Sequence, residues 1–175
     1  MNITKSILSL VALGLFSTTI QYQPASASSL VRVVGCTEIE ELIDFVAGET
    51  DYPPLRSCPK VRVTPDAVFR SIFAKASAHG VEPMAAFIPA SAEILLSPNV
   101  DFTKLIGRSY LVHELVHASQ FNNRVKAPAT CLGLLESEAY WVQATYLRKY
   151  GLNEDALAFE LVSIMRSACA QPYHR

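Results

Sequence analysis

The spacing of apolar positions predicts two helices in the first half of the chain. The first follows Thr37-Glu38-Ile39-Glu40, which fits a capping box, and Gly48 is placed to end it. The second begins with Thr64 as N-cap and Pro65 as the first helical residue, and Gly80 closes it. The positions predicted to face the core are Ile39, Leu42, Ile43 and Val46 in the first helix and Val68, Ile72, Phe73 and Ala76 in the second.

Three longer helices are predicted in the second half. One begins at Asp101 and runs to Phe121, and it is apolar on nearly every side, which is typical of a buried helix. Another covers Leu132–Tyr150 and ends at Gly151, and Asn153 caps the last. The apolar face predicted for the last helix consists of Ala156, Leu157, Leu161, Ile164 and Met165.

Short apolar runs predict the strands. Leu30–Val34 and Val61–Val63 each fit a short strand, and Ala85–Ile88 and Glu93–Leu96 flank Pro89–Ala92 as the two arms of a β-hairpin. A few strands followed by long helices indicate the α+β class. The chain has 175 residues, half of them hydrophobic, which suits one globular domain.

The segment His113-Glu114-Leu115-Val116-His117 lies inside the predicted buried helix and has the form H-E-x-x-H. Helical spacing puts His113 and His117 one turn apart on one face, where two imidazoles can bind one Zn²⁺. Glu114 is rotated by about 100° from His113, so its carboxylate lies beside the metal and can take a proton from an activated water. The alternative is a pair of core histidines hydrogen-bonded to backbone.

A catalytic zinc site needs a third protein ligand and an open fourth position. The next long helix carries Glu136 and Glu138 among apolar neighbours. The two carboxylates project about 200° apart around a helix, so only one of them can face the metal. From the residues alone this choice stays open.

Together these motifs resemble the gluzincin group of zincin-like zinc metallopeptidases, in their small secreted bacterial form. The resemblance covers roughly residues 84–150, and it implies that His113, His117 and Glu136 are ligands, with Glu138 as the alternative, and that Glu114 is the general base. It also implies a zincin-like fold, in which an edge strand of the hairpin pairs with an extended peptide substrate. The chain departs from the family at Tyr140, where those peptidases often place an aspartate that hydrogen-bonds a ligand histidine.

The ends and the cysteines indicate where the protein works. Residues 1–27 have a basic start, a short apolar run and a small-residue cleavage pattern, so we expect a secretory signal peptide followed by one domain at 28–175. An even cysteine count behind such a signal implies disulfides, for which the favoured pairing is Cys36–Cys58 and Cys131–Cys169. The protein is then secreted or periplasmic, with no stable membrane association after cleavage.

These features predict a secreted zinc-dependent metallopeptidase or amide hydrolase that acts on a peptide or protein. The formal net charge is −1 and no basic stripe is visible, which argues against nucleic acid as a partner. The alternative is a non-catalytic binding protein on a zincin scaffold, whose metal is structural and whose fourth ligand could be His174. A third reading is a disulfide-stapled helical domain without a metal.

Overall fold

The structure is a computed structural model that describes residues 32–74, 83–126, 131 and 133–168. Within these ranges the chain forms four strands and five helices. The strands are β1 (Arg32–Val34), β2 (Lys60–Val63), β3 (Ala85–Ile88) and β4 (Glu93–Leu96), and the helices are α1 (Cys36–Glu49), α2 (Asp66–Ile72), α3 (Leu105–Asn122), α4 (Gly133–Lys149) and α5 (Asn153–Ser167). The α+β class is therefore confirmed.

The four strands form one small sheet in the order β1-β2-β4-β3. β3 and β4 are antiparallel, with Phe87 opposite Ile94, so the predicted hairpin is confirmed. β2 pairs antiparallel with β1 and parallel with β4. As a result β3 is an edge strand, and its free side is turned toward α3, which it contacts.

Helix α3 is the centre of the domain, because it contacts β3, β4, α1 and α4. Eleven of its residues are buried, which agrees with its apolar sequence. α5 packs on α4, so the order outward from the sheet is α3, α4 and α5. The apolar core joins the sheet to four of the helices through Val61, Ile94, Leu96, Ile39, Leu42, Val46, Leu111, Val112, Leu115, Val116, Ala139, Val142, Leu147 and Ala156.

Four predicted helix starts are shifted. α1 begins at Cys36, because the Glu38 carboxylate accepts the backbone N–H of Gly35 at 2.9 Å and so caps the helix earlier than a box built on Thr37. α3 begins at Leu105 instead of Asp101, whose carboxylate accepts the N–H of Thr103 in a turn. The other two starts are shifted by one residue: the N-cap of α2 is Pro65 instead of Thr64, and the N-cap of α5 is Leu152 instead of Asn153. Gly48 lies inside α1 and does not end it.

The apolar faces predicted for α2 and α5 are largely wrong. Val68 and Ile72 of α2 are each 49% exposed, whereas Phe69 is buried. α5 buries small residues, Ala156 and Ser163, because it lies on the outside of the helical layer and contacts α4 closely. The larger apolar residues that α5 leaves exposed are Leu157, Leu161, Ile164 and Met165.

Two glycines set how α4 fits between its neighbours. Any side chain at Gly133 would collide with the carbonyl oxygen of Arg166, so this glycine allows the start of α4 to touch the end of α5. Gly151 has a φ of 82°, a left-handed conformation that glycine adopts without strain, and it ends α4 as predicted.

The disulfide Cys36–Cys58 is present, so the first half of the predicted pairing is confirmed. Cys169, His174, Ala76, Gly80 and the predicted signal peptide at 1–27 lie outside the described residues. None of the helices in the described part is long and apolar enough to cross a membrane.

Candidate metal centre

Three side chains meet between α3 and α4. Nε2 of His113 lies 3.1 Å from Nε2 of His117, and the Glu136 carboxylate lies 3.5 Å from the first nitrogen and 3.4 Å from the second. One donor atom of each residue falls within 4.8 Å of the other two. The helical repeat brings the two histidines together, whereas the packing of α4 on α3 brings Glu136 to them.

Glu138 does not join this cluster. Its carboxylate accepts a hydrogen bond from the Tyr52 hydroxyl at 2.6 Å and another from Nε2 of Gln120 at 2.8 Å. Burial and then the hydrogen bond to Glu138 raise the pKa of Tyr52, so its hydroxyl keeps the proton that it donates. Of the two carboxylates that the sequence left open, the packing therefore turns Glu136 to the histidines and Glu138 away from them.

Glu114 is buried at the junction of α3 and the sheet. Its carboxylate accepts the backbone N–H of Phe87 from the edge strand β3 at 2.6 Å. Burial raises the pKa of Glu114, although the neighbouring His113 and His117 act in the opposite direction. A buried carboxylate with a raised pKa beside a cleft is the usual environment of a general base.

The charges of the three converging residues are strongly coupled. Hydrogen bonds from His113 and His117 hold the pKa of Glu136 far below its ordinary value. For His117, burial alone would lower the pKa, but the hydrogen bond with Glu136 and the charges of Glu114 and Glu136 outweigh burial and raise it. Two carboxylates therefore lie beside two imidazoles, an arrangement of charges that suits a bound cation.

The donor set fits zinc. Two imidazole nitrogens and one carboxylate oxygen form a common set of protein ligands in catalytic zinc sites. Nδ1 of His113 is buried and has no hydrogen-bond partner among the described residues. Zinc bound at Nε2 of His113 would require a proton on Nδ1, and the described part of the chain offers no acceptor for that proton.

The cluster opens into a pocket of about 400 Å³. The Tyr140 ring meets the His113 ring edge-on, with 4.4 Å between their centroids, and stacks on Phe159 at 6.0 Å. Tyr110, one helical turn before His113, packs against Phe159 and also lines the pocket. None of the described residues that line it is a lysine or an arginine, so the pocket combines negative charge with an aromatic wall.

Sequence reasoning missed Gln120, Tyr52, Phe159 and the Phe87 amide. Only Gln120 carried a usable signal, because it follows His117 by three residues and so lies on the same helical face. Tyr52 and Phe159 come from other elements, and nothing in their local sequence points to the site.

Fold and site define a mixed α+β domain with a partly buried cluster of two histidines and one glutamate, and a second, buried glutamate beside it. The chain belongs to the family described as "Domain of unknown function (DUF6647)", whose model matches residues 33–174. No curated protein and no solved structure matches the chain.

Proposed function

We propose that the protein is a secreted, zinc-dependent hydrolase of peptide or other amide bonds. The observation that carries the proposal is the convergence of His113, His117 and Glu136 beside the buried carboxylate of Glu114. In this proposal the first three residues hold Zn²⁺, and Glu114 is the general base. The Cys36–Cys58 disulfide is compatible with an oxidising compartment outside the cytoplasm.

Each protein group then has a defined task. Zn²⁺ in such a site acidifies water and polarises a carbonyl group. Glu114 accepts a proton from the attacking water and delivers it to the leaving amine. The Phe87 N–H holds one edge of the Glu114 carboxylate at 2.6 Å, which leaves the remaining oxygen lone pairs for the proton.

The edge strand β3 offers a way to hold an extended substrate. The carbonyl of Met84 accepts the N–H of Ser97, next to the β4 strand, whereas the Phe87 N–H points to Glu114 on the opposite side. By the alternation of antiparallel pairing, the N–H and C=O of Ala85 also point away from β4. A peptide laid along this edge would add a strand to the sheet beside the pocket.

The test is the variant Glu114→Gln in the oxidised protein, assayed on a defined mixture of peptides by mass spectrometry. We expect about one bound zinc per chain and a loss of cleavage of at least about 100-fold, since general-base catalysis contributes that much or more. Glu41→Gln, an exposed carboxylate far from the pocket, is the matched control and should cleave normally. Undiminished cleavage by Glu114→Gln, free of host proteases, would overturn the mechanism.

A binding protein with a structural metal is the second candidate. The exposed apolar side chains Leu157, Leu161, Ile164 and Met165 favour it, because large exposed apolar patches often mark protein contacts. In that case zinc would be held by four protein ligands and no peptide would be cleaved. If His174→Ala lowered zinc affinity and the wild type left every peptide intact, this candidate would replace the first.

A further inference from the structure

A chain of hydrogen bonds leads from His117 to a distant loop. Nδ1 of His117 lies 2.8 Å from Oε1 of Gln120, and Nε2 of Gln120 donates to the Glu138 carboxylate at 2.8 Å. The same carboxylate oxygen accepts the Tyr52 hydroxyl at 2.6 Å. Gln120 is only 2% exposed, so water does not compete freely for its amide.

The orientation of the Gln120 amide follows from its partners. Its nitrogen makes two hydrogen bonds, one to the Leu135 carbonyl at 3.0 Å and one to Glu138. A carbonyl and a carboxylate only accept, so both amide hydrogens are used there. Turning the amide over would aim its oxygen at two acceptors. Its oxygen must therefore face His117.

This orientation decides which nitrogen of His117 carries the proton. Because Oε1 of Gln120 only accepts, Nδ1 of His117 must be the donor. In the neutral imidazole, Nε2 is then unprotonated and its lone pair points to His113 and Glu136. That is the form in which a histidine binds a metal through Nε2.

We infer that Gln120, held by Glu138 and Tyr52, is a positioning residue that fixes His117 in its metal-binding form before any metal arrives. The inference rests on the proposed zinc site for its purpose, but the proton position is a property of the metal-free protein. The Gln120 amide on α3, which is itself hydrogen-bonded to Glu138 on α4, accepts the hydrogen bond that orients His117.

Tyr52 connects this chain to a part of the protein outside the metal-binding helices. It follows α1 in the segment that the Cys36–Cys58 disulfide closes, and it is separated from Glu138 by 86 positions in sequence. The loop therefore acts on the site through two intermediate side chains and touches neither the histidines nor Glu136 in the contacts described.

The decisive measurement is nitrogen NMR of the metal-free protein with labelled histidine, at a pH where the imidazoles are neutral. We expect His117 to carry its proton on Nδ1, and Gln120→Leu to give a mixture of both forms. A proton on Nε2 of His117 in the wild type, or an unchanged proton position in Gln120→Leu, would overturn the inference.

Zinc affinity, measured by competition with a chelator, gives a second readout. Gln120→Leu should bind zinc about 10- to 100-fold more weakly, the range for partners that orient a ligand. Asn123→Ala is the control on the same helix, since its amide donates only to the Ser119 carbonyl at 2.8 Å. Wild-type affinity in a folded Gln120→Leu variant would also overturn the inference.

A double-variant cycle tests whether Tyr52 acts through Gln120. Tyr52→Phe should weaken zinc binding severalfold in the wild type and have no further effect in Gln120→Leu. Tyr150→Phe is the matched control, because its hydroxyl also donates to a glutamate, Glu41, far from the site. Equal losses in both backgrounds would overturn the role of Tyr52.

If the wild type binds no zinc, the proposed function fails, and the tautomer measurement alone still decides the role of Gln120.

Discussion

The two histidines of the site are supported in different ways. His117 is held by a polar chain, in which Gln120 accepts the proton of Nδ1. His113 is held by aromatic packing, with the Tyr140 ring 4.4 Å from its own, and its Nδ1 has no hydrogen-bond partner among the described residues. The His117 imidazole is therefore fixed in direction and proton position, and the His113 imidazole in direction only.

Because only His117 has a partner at Nδ1, the two histidines would respond differently to a bound metal. When His117 is neutral and carries its proton on Nδ1, its Nε2 can only accept, so the 3.1 Å contact between the two Nε2 atoms then requires a proton on Nε2 of His113. In the proposed zinc site, binding through both Nε2 atoms would move a proton on His113 from Nε2 to Nδ1 and would leave neutral His117 unchanged. We call His117 with Gln120 and Glu138 the polar half of the site, and His113 with Tyr140 and Phe159 the aromatic half. In the polar half the proton position needed for metal binding is set beforehand, whereas in the aromatic half it would change on metal binding.

The largest expected effect comes from removing Glu136, which contacts both histidines and so belongs to both halves. Glu136→Ala should lower zinc affinity by more than about 100-fold, beyond the range of residues that only orient a ligand. Glu138→Ala, two positions away and joined only to the polar half, should lower it by about tenfold. Titration of both variants with zinc against a chelator checks the order, and a larger loss in Glu138→Ala would reverse the assignment of the two glutamates.

A smaller effect is expected from the aromatic half. Tyr140→Leu removes the ring contacts with His113 and Phe159, so it should lower the free energy of unfolding by about 1 kcal/mol, the size of one aromatic pair. Zinc affinity should change less than in Gln120→Leu, because packing fixes no proton. Urea unfolding and zinc titration measure the two quantities, with Tyr140→Phe as the control that keeps the ring. If Tyr140→Leu lowered zinc affinity as much as Gln120→Leu does, the two halves would support metal binding equally, which contradicts the comparison.

The smallest expected effect is on the pH dependence of stability without metal. The folded-state pKa of His117 is raised above its ordinary value of 6.5, mainly by Glu136 and Glu114 against the opposing effect of burial. Protonated His117 therefore stabilises the fold fully below pH 6.5, and this stabilisation is lost as the pH rises through the raised pKa. The raised pKa of Glu114, caused by burial, has the same sign, whereas the lowered pKa of Glu136 contributes stability that is fully present above pH 4.5 and is lost only as the pH falls below it.

Urea unfolding of the metal-free protein between pH 5 and pH 9 measures this loss. Glu114→Gln removes the contribution of that carboxylate and also the part of the His117 pKa shift that Glu114 causes, so the smaller decline that remains in this variant belongs to His117 and its contact with Glu136. His117→Gln added to Glu114→Gln should then abolish it. A decline that persists in the double variant would show that other groups cause it.

Local sequence patterns determined the parts of the site that lie within one element. Helical spacing puts His113 and His117 on one face and Glu114 beside them, and the apolar neighbours that bury the helix are part of the same segment. The hairpin that supplies the Phe87 amide and the Cys36–Cys58 pair could also be predicted, because both depend on residues close together in the chain.

Tertiary packing alone decided the rest. Glu136 and Glu138 are equivalent in the pattern of α4, and only the rotation of that helix against α3 turns one carboxylate to the histidines and the other to Tyr52. The same cause explains the error in α5, where Leu157 stays exposed because the helix meets α4 through smaller side chains. A repeat along one helix defines which residues share a face, but the neighbouring elements determine which face is buried and which distant side chains meet there.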